Sequence, residues 1–497
     1  MPWHASSRFL LGFLRPQGRC DRGRAFFHVL TSLQLKREGK RNMANKNLSQ
    51  AKNAKNDEFY TQYADIQAEV NAYLDYNPDT FRDKTVLLPC DDPEWSNFTR
   101  FFAQNFQRFG LKKLISTSYA ADSKNFKTVY QPTLFEEESP QFDKKKTKVR
   151  GKIFVLDHDA NKNGKIDIED LEWKYLEDDG DFRSEEVKRL RDEADIIVTN
   201  PPFSLFREFL AWILEGDLDV RGEDFGRKES VEGIVFDKIN KIDRIENPDT
   251  PVNPIKKNLH VSTRSTRLNE TAKKKFLIIG NMNAITYKEV FPLIKDNKMW
   301  LGESIHSGDR EFGVPKEYPL NAAGWRIDEE GNHYIRVKGV RWFTNLEHGR
   351  RHQPLQLMTM ADNIKFSRHK DLRGKEYLKY DNYDAIEVPF TDAIPSDYDG
   401  VMGVPISFLD KYCPEQFEIL GATQRGCHDL VPDTKKYDDY WEMKQNGEKT
   451  GSSGGKTNEN ANLEMNDGKK NYFINSKGHV VQSAYQRIFI RHRKDKL

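Results

Sequence analysis

The stretch Asp195-Ile196-Ile197-Val198-Thr199-Asn200-Pro201-Pro202-Phe203, running on into Ser204-Leu205-Phe206-Arg207-Glu208-Phe209-Leu210-Ala211-Trp212-Ile213, decides the fold. Its first half is an apolar run too short for a buried helix, which predicts a strand covered on both faces. Its second half puts Leu205, Phe206, Phe209, Leu210 and Ile213 on one helical face. Working outward, Thr85–Leu88, Lys113–Ser116, Lys152–Leu156 and Phe276–Ile279 repeat the strand signal. Asn97–Phe109 repeats the helical one, with Phe98, Phe101, Phe102, Phe106 and Phe109 at helical spacing. Such alternation predicts an α/β chain whose doubly wound parallel sheet is covered by helices, with ligands beyond the carboxyl ends of the strands.

Asn200-Pro201-Pro202-Phe203 therefore sits where an α/β enzyme keeps its site. A rigid loop is the plain alternative, since proline fixes φ and removes a donor. The chemical reading is more specific. An exocyclic amino group on a nucleobase is a poor nucleophile because its lone pair is conjugated with the ring. Two acceptors, the Asn200 side-chain oxygen and the Pro201 carbonyl, can hold both amino hydrogens and turn the lone pair toward an electrophilic methyl. Phe203 offers a face on which an extruded base can stack. Neither a nucleophilic side chain nor a metal is needed when S-adenosylmethionine supplies the methyl.

The chain has 497 residues, enough for two to four structural units. No apolar run reaches the roughly 18 residues of a spanning helix. Cys20, Cys90, Cys413 and Cys427 are far apart with no CxxC pair, which argues against a disulfide framework and a cysteine zinc site, and for a reducing compartment. Lys and Arg total 79 against 77 Asp and Glu. Residues 1–42 carry nine of the bases and two of the acids, Asp21 and Glu38, and read as an appended basic leader: an over-long start, a transit peptide or a basic arm. Without them the balance becomes 70 against 75, a net of −5. The polar stretch from about Glu215 to Thr271 reads as an insertion, as does the acidic segment Asp157 to Asp195, with fifteen acids and seven bases.

Asn200-Pro201-Pro202-Phe203 resembles the catalytic motif of N6-adenine methyltransferases, and residues 43–497 resemble the EcoRI-type adenine-specific DNA methyltransferase family. Further anchors are Lys55-Asn56-Asp57-Glu58-Phe59-Tyr60-Thr61-Gln62-Tyr63, Cys90-Asp91-Asp92-Pro93 with Ser96-Asn97-Phe98, Phe276 to Ala284, and Val340-Arg341-Trp342-Phe343-Thr344-Asn345-Leu346. The resemblance implies a Rossmann-like class I methyltransferase sheet over 43–350 and a carboxy-terminal target-recognition region over 351–497. Within the latter, Asn446 to Lys470, rich in Gly, Ser, Asn and Lys, reads as a flexible loop, and Tyr472–Ile474 with Val480–Ile490 reads as a terminal hairpin carrying a basic tail, Arg487 to Lys496. It implies transfer of a methyl group from S-adenosylmethionine to an extruded adenine of double-stranded DNA. It also implies a cytoplasmic, nucleoid-associated monomer whose cognate restriction endonuclease acts on the same site without a stable complex. Tyr60 and Thr61 are expected near the methionine part of the donor, and Asp91 or Asp92 on its ammonium or ribose; a helix cap near Ser96 is the alternative for these acids. Asp157 is expected on its adenine. After the second strand, where an acid for the ribose is usual, stand only Ser116, Thr117 and Ser118. Methylation of RNA or of a protein glutamine remains a rival reading, as does a non-catalytic DNA- or calcium-binding protein on the same fold.

Two further expectations concern charge. Asp159, Asn161, Asn163, Lys165 and Asp170 fall at the ligand positions of a twelve-residue calcium loop with Gly164 at its sixth place; the alternative is a surface turn and a capped helix over Ile168–Leu176. Of two basic segments, Lys256–Lys275 and Arg341–Arg373, the second is interleaved with aromatics, so Arg341, Trp342, His348, Arg350, Arg351 and His352 are expected on the DNA face. Together with the basic tail they predict one positive face and an acidic flank.

Overall fold

The computed structural model describes residues 59–89, 91, 96–120, 140, 142–215, 274–306, 309–314, 324–423, 441–453, 460–464, 472–474 and 478–493. Cys90, Asp92, the leader, the segment Lys55–Glu58 and the polar stretch from 216 to 271 lie outside the described residues.

In chain order the described elements are β1 (Tyr60–Thr61), α1 (Tyr63–Tyr76), β2 (Thr85–Leu88), α2 (Asn97–Gln104), α3 (Phe106–Phe109), β3 (Lys113–Ser118), α4 (Lys144–Val149), β4 (Lys152–Leu156), β5 (Glu172–Tyr175), α5 (Glu185–Glu193), β6 (Ile196–Thr199), α6 (Phe206–Glu215), β7 (Lys275–Asn281), α7 (Phe291–Lys295) and β8 (Trp300–Leu301). There follow β9 (Asp309–Val314), β10 (Arg326–Ile327), β11 (His333–Lys338), β12 (Val340–Thr344), α8 (Met360–Phe366), β13 (Ala385–Glu387), β14 (Val401–Pro405), β15 (Phe417–Ala422), β16 (Trp441–Met443), β17 (Lys449–Ser453), β18 (Asn462–Glu464), β19 (Tyr472–Ile474), β20 (Val480–Ser483) and β21 (Arg487–His492).

Eight strands form the central sheet in the order β5-β4-β3-β2-β6-β7-β12-β8. The inner four, β3, β2, β6 and β7, are parallel, and each is almost wholly buried because helices cover both faces. The fourth apolar run thus lies at the centre, and the Asn200–Phe203 turn leaves the sheet beside the end of the first. The expected helix over Asn97–Phe109 forms but breaks at Asn105 into α2 and α3; all five phenylalanines are buried. Gly280 on β7 lets the Phe206 ring of α6 lie against the strand, where any Cβ would collide with it.

Four expectations are corrected. The third run, β4, is antiparallel to β3, with Leu114 opposite Leu156 and Ser118 opposite Lys152. Ile168–Leu176 is not a helix but a 3₁₀ turn, Ile168–Asp170, followed by β5 on the sheet edge. The loop drawn over 446–470 contains β17 and β18, which belong with β16, β19 and β20 to a small antiparallel sheet. Tyr472–Ile474 and Val480–Ile490 do not make one hairpin: β19 pairs with β20, but β21 crosses to lie between β14 and β15.

The β13-β14-β21-β15 sheet shares a single apolar cluster with α6, α7 and the central sheet, in which Phe209 and Phe291 join Val404, Phe408 and Ile488. The boundary drawn at 350/351 falls inside a 3₁₀ turn, Gly349–His352, packed between these parts. A fourth sheet, β1-β9-β11-β10, pairs Tyr60 with Gly313 and Thr61 with Phe312, so β1 is fixed by a strand some 250 residues later in the chain.

Candidate active site

At the carboxyl end of β6 the Asn200 side chain donates through Nδ2 to the Phe59 carbonyl at 2.6 Å. That carbonyl can only accept, so it fixes which way the amide faces. The Asn200 Oδ1 is consequently turned away, buried, and without a hydrogen-bond partner among the described residues. A buried unpaired acceptor costs about 1–3 kcal/mol until a bound group completes it. Pro201 is buried and Pro202 half-buried, and the Pro202 carbonyl accepts from the Leu205 amide at 2.8 Å, which closes the turn into α6. The half-buried Phe203 ring stands edge-on to Phe59 at 5.9 Å and to Phe312 at 6.4 Å. These neighbours lock its plane while part of the ring stays accessible.

Beside this turn, Asp91 follows the end of β2 and is 8% exposed. Its Oδ1 accepts from the Ser96 hydroxyl at 2.8 Å and its Oδ2 from the Thr199 hydroxyl at 2.7 Å. Its carbonyl accepts from Thr99 and Ser116. Ser96 itself caps α2, accepting from the Phe98 amide. Asp91 is therefore not the cap; it ties the loop after β2 to the residue preceding Asn200. Ser116 serves this loop as well, a role the sequence did not suggest.

Opposite the turn, Thr61 is 4% exposed and its Oγ1 is a second buried polar atom without a partner among the described residues. Asn97 holds the Thr61 carbonyl at 2.8 Å. Tyr60 lies on the other face of the same strand, half-buried. Two unpaired polar oxygens, one on Asn200 and one on Thr61, thus belong to segments joined by the Asn200–Phe59 hydrogen bond.

The structure does not bring Asp157 to this place. Because β4 runs antiparallel, the residue after Leu156 emerges at the amino edge of the parallel strands, whereas Asp91 and Asn200 lie at the carboxyl edge. Asp157 there contacts its neighbour His158 at 2.6 Å. The calcium-like loop beyond it turns its oxygens onto its own backbone: Asp159 accepts from the Asn163 and Gly164 amides, Asn161 from Asn163, Asn163 from Lys165, and Asp170 from the Asn161 and Asp167 amides. Those amides hold the Asp170 carboxyl below its usual range. Among the described residues no three His, Cys, Asp or Glu side chains are grouped to hold a metal.

Most of the expected DNA face also proves to be interior, with Arg350 and His352 half-buried. Arg341 is 4% exposed, pairs through Nε and Nη2 with both oxygens of the buried Asp410, and donates to the carbonyls of Val340 and His306. Trp342, 1% exposed, packs edge-on to Phe98. His348 is buried against the Leu301 carbonyl, and burial pushes its pKa down to about 4. Arg350 donates to the Asp410 carbonyl and meets His306. Arg351 lies over the Trp300 ring at 3.9 Å and donates to Asn297. His352 bridges Glu347 and Glu415 at the rim. For Arg341 the reason is β12: β7 and β8 pair its two edges and an apolar cluster covers each face, with Phe343 in one and Val340 and Trp342 in the other, so the charged residue must be paired. Of the other basic segment, Lys274 and Lys275 are described, and both donate to backbone carbonyls.

Comparisons with known proteins agree with the geometry. The family model described as adenine-specific methyltransferase EcoRI matches residues 47–220 and 267–493. The chain is 39% identical over 380 residues to the type II methyltransferase M.EcoRI of Escherichia coli, covering 76% of this chain and 90% of that protein. It is 29% identical over 375 residues to M.MpnI of Mycoplasma pneumoniae and 28% identical over 374 to M.MgeORF184P of Mycoplasma genitalium, each spanning 75% of this chain and 84% of the relative. No solved structure matches. With the matched segments taking in β1, the loop after β2, the Asn200–Phe203 turn and β12, the chain belongs to the EcoRI family of adenine-specific methyltransferases.

Proposed function

We propose that the protein methylates the N6 amino group of an adenine extruded from double-stranded DNA, using S-adenosylmethionine, as the modification enzyme of a restriction-modification system. The observation that carries this reading is the Asn200 Oδ1, buried and unpaired while its own amide nitrogen is held by Phe59. It is an acceptor kept ready for one amino hydrogen, with the Pro201 carbonyl as the partner for the other. Phe203 supplies the ring on which the extruded base stacks.

Thr61, with Tyr60 alongside, is suited to the methionine end of the donor, because the Oγ1 lacks a partner at that strand. Asp91 positions the loop on which the donor's polar groups would rest and leaves Asp92 as the second acid of the pair. When bound, S-adenosylmethionine supplies the activated methyl; the chain's own part is to align the amino nitrogen and exclude water. A carboxy-terminal target-recognition region from about 351 onward completes the reading, on a class I, Rossmann-like sheet. Among the described residues no helix is long and apolar enough to cross a membrane.

The deciding experiment incubates the purified protein with tritiated donor and unmethylated duplex DNA, RNA or protein in parallel. Label in duplex DNA, mapped to N6-methyladenine by long-read sequencing, is the expected result. Label in RNA or in a glutamine amide instead would overturn the proposal.

A further inference from the structure

With Arg341–His352 enclosed, the described cations that remain free to meet a phosphate backbone are elsewhere. The outer face of β9–β11 is one candidate, carrying Arg326, Arg336 and Lys338, but Glu311 and Asp309 stand opposite Arg336 and Lys338, and Arg326 grips Glu311 through two hydrogen bonds. That face is balanced. The helix α4 is not. Its sequence is Lys144-Lys145-Lys146-Thr147-Lys148-Val149, followed by Arg150, and all four lysines and the arginine are exposed. None of the five has an acidic partner within ion-pair distance among the described residues; the carboxylate that faces Lys145 and Lys146 is Asp143, which caps the helix.

Such a helix does not persist on its own account. Six residues are too few for an isolated helix, and Lys144 and Lys148, four apart, repel. It is held by Thr147, the one buried residue of the helix, whose hydroxyl meets the Tyr175 hydroxyl at 2.6 Å, by Asp143 capping the amides of Lys145 and Lys146, and by Tyr175 bonding to the Asp143 backbone. An ordinary solvated face alternates signs; here one sign is concentrated and pinned in place.

Its position follows from the same reversal of β4 that displaces Asp157. Lys152, two residues after Arg150, lies opposite Ser118, so α4 stands at the carboxyl edge of the sheet, the edge that bears Asn200. Three strand spacings, β4 to β3 to β2 to β6, separate the two, about 14 Å, or roughly four base-pair rises.

We infer that α4, with Lys144, Lys145, Lys146, Lys148 and Arg150, is a docking surface for the phosphate backbone of the substrate duplex, about four base pairs from the extruded adenine. The inference rests on the DNA reading above and goes beyond it by naming the surface. The test uses the full chain and a random-sequence 40-base-pair duplex. Binding is measured across a salt series for the parent, for the quadruple variant Lys144→Gln, Lys145→Gln, Lys146→Gln, Lys148→Gln, and for the matching Lys→Arg variant. The Gln variant should lose about two to four units of the log–log salt slope and at least about 30-fold in affinity near 0.1 M salt, while the Arg variant keeps both. In the unaltered protein, bound duplex should shield these lysines from acetylation several-fold. A Gln variant with the parent's slope and affinity, or lysines equally reactive with and without duplex, would overturn the inference. A parent that methylates no DNA would instead sink the functional proposal, so the two failures are distinct.

Discussion

Two regions carry the residues with the most evident chemistry, and they end up in opposite conditions. The turn Asn200–Phe203 holds a buried oxygen with no hydrogen-bond partner among the described residues, whereas the second region spends its cations on the fold: Arg341 on Asp410, Arg350 on a backbone carbonyl, Arg351 on Asn297 and a tryptophan face, His352 on two glutamates, while the His348 Nδ1 and Arg351 Nε, which lack hydrogen bonds, face Glu303 at 3.5 Å and Glu347 at 3.3 Å. Hydrogen-bonding capacity left over is available to a substrate; capacity already used holds the fold together. Burial alone does not separate the two, since each region mixes buried and half-buried residues.

The comparison is broken or sharpened most by Asn200→Ala. It should lower methyl transfer at least about 10³-fold with donor binding nearly unchanged, because the lost acceptor acts on the reacting amino group alone. Near-normal turnover in a tritium-release assay would remove Asn200 from the chemistry. Arg341→Ala should instead cost about 3–5 kcal/mol in urea unfolding, by leaving Asp410 buried without its cation, while Arg341→Met with Asp410→Leu should recover most of that loss. A variant with weakened DNA binding and unaltered stability would return Arg341 to the DNA face. Thr61→Val removes the unpaired oxygen on β1, and titration calorimetry should show donor affinity reduced about tenfold, or about 1.4 kcal/mol.

The smallest effect concerns pH. His306 and His348 are held near pKa 4 by burial, with neighbouring cations adding to it. Their folded values lie below the ordinary 6.5, so the unfolded chain takes up protons that the folded one refuses, and stability should fall as pH drops from 6.5 toward 4. Glu69 and Asp410, raised by burial, act with the opposite sign and blunt the fall. His348→Gln should flatten the decline in urea midpoint between pH 6.5 and 5; an unchanged decline would show that His348 is already protonated in the fold.

Much of this was legible in the sequence. All five strands and the two phenylalanine-rich crossover segments lie where the apolar runs put them, because burial on both faces leaves a continuous apolar signature. An apolar run carries no direction, however, so β4 reads the same either way, and Asp157 was assigned to the wrong edge. Counting charges in windows also failed twice. It cannot tell that β12 has a neighbour on each side, and it passed over Lys144–Arg150, which stands just before the acidic segment. Asn200 stands out in the sequence because the proposed chemistry needs an Asn-Pro-Pro-aromatic order at a strand end; the Phe59 carbonyl that orients it belongs to the backbone 141 positions earlier and has no signature in residue type.

That pairing of distant segments has a consequence for when activity can first exist. Asn200 is oriented by Phe59, Phe59 continues into β1, and β1 is held by β9 at Phe312 and Gly313. Contacts of such sequence separation form late, since a long loop must close before they are rewarded. A chain still emerging from the ribosome, with β6 complete but β9 unsynthesised, has the Asn200–Phe203 turn and lacks the strand that steadies its partner. At the usual elongation speed of about 5–20 residues per second, the roughly 110 residues between them amount to about 5–20 seconds during which the turn lacks that support.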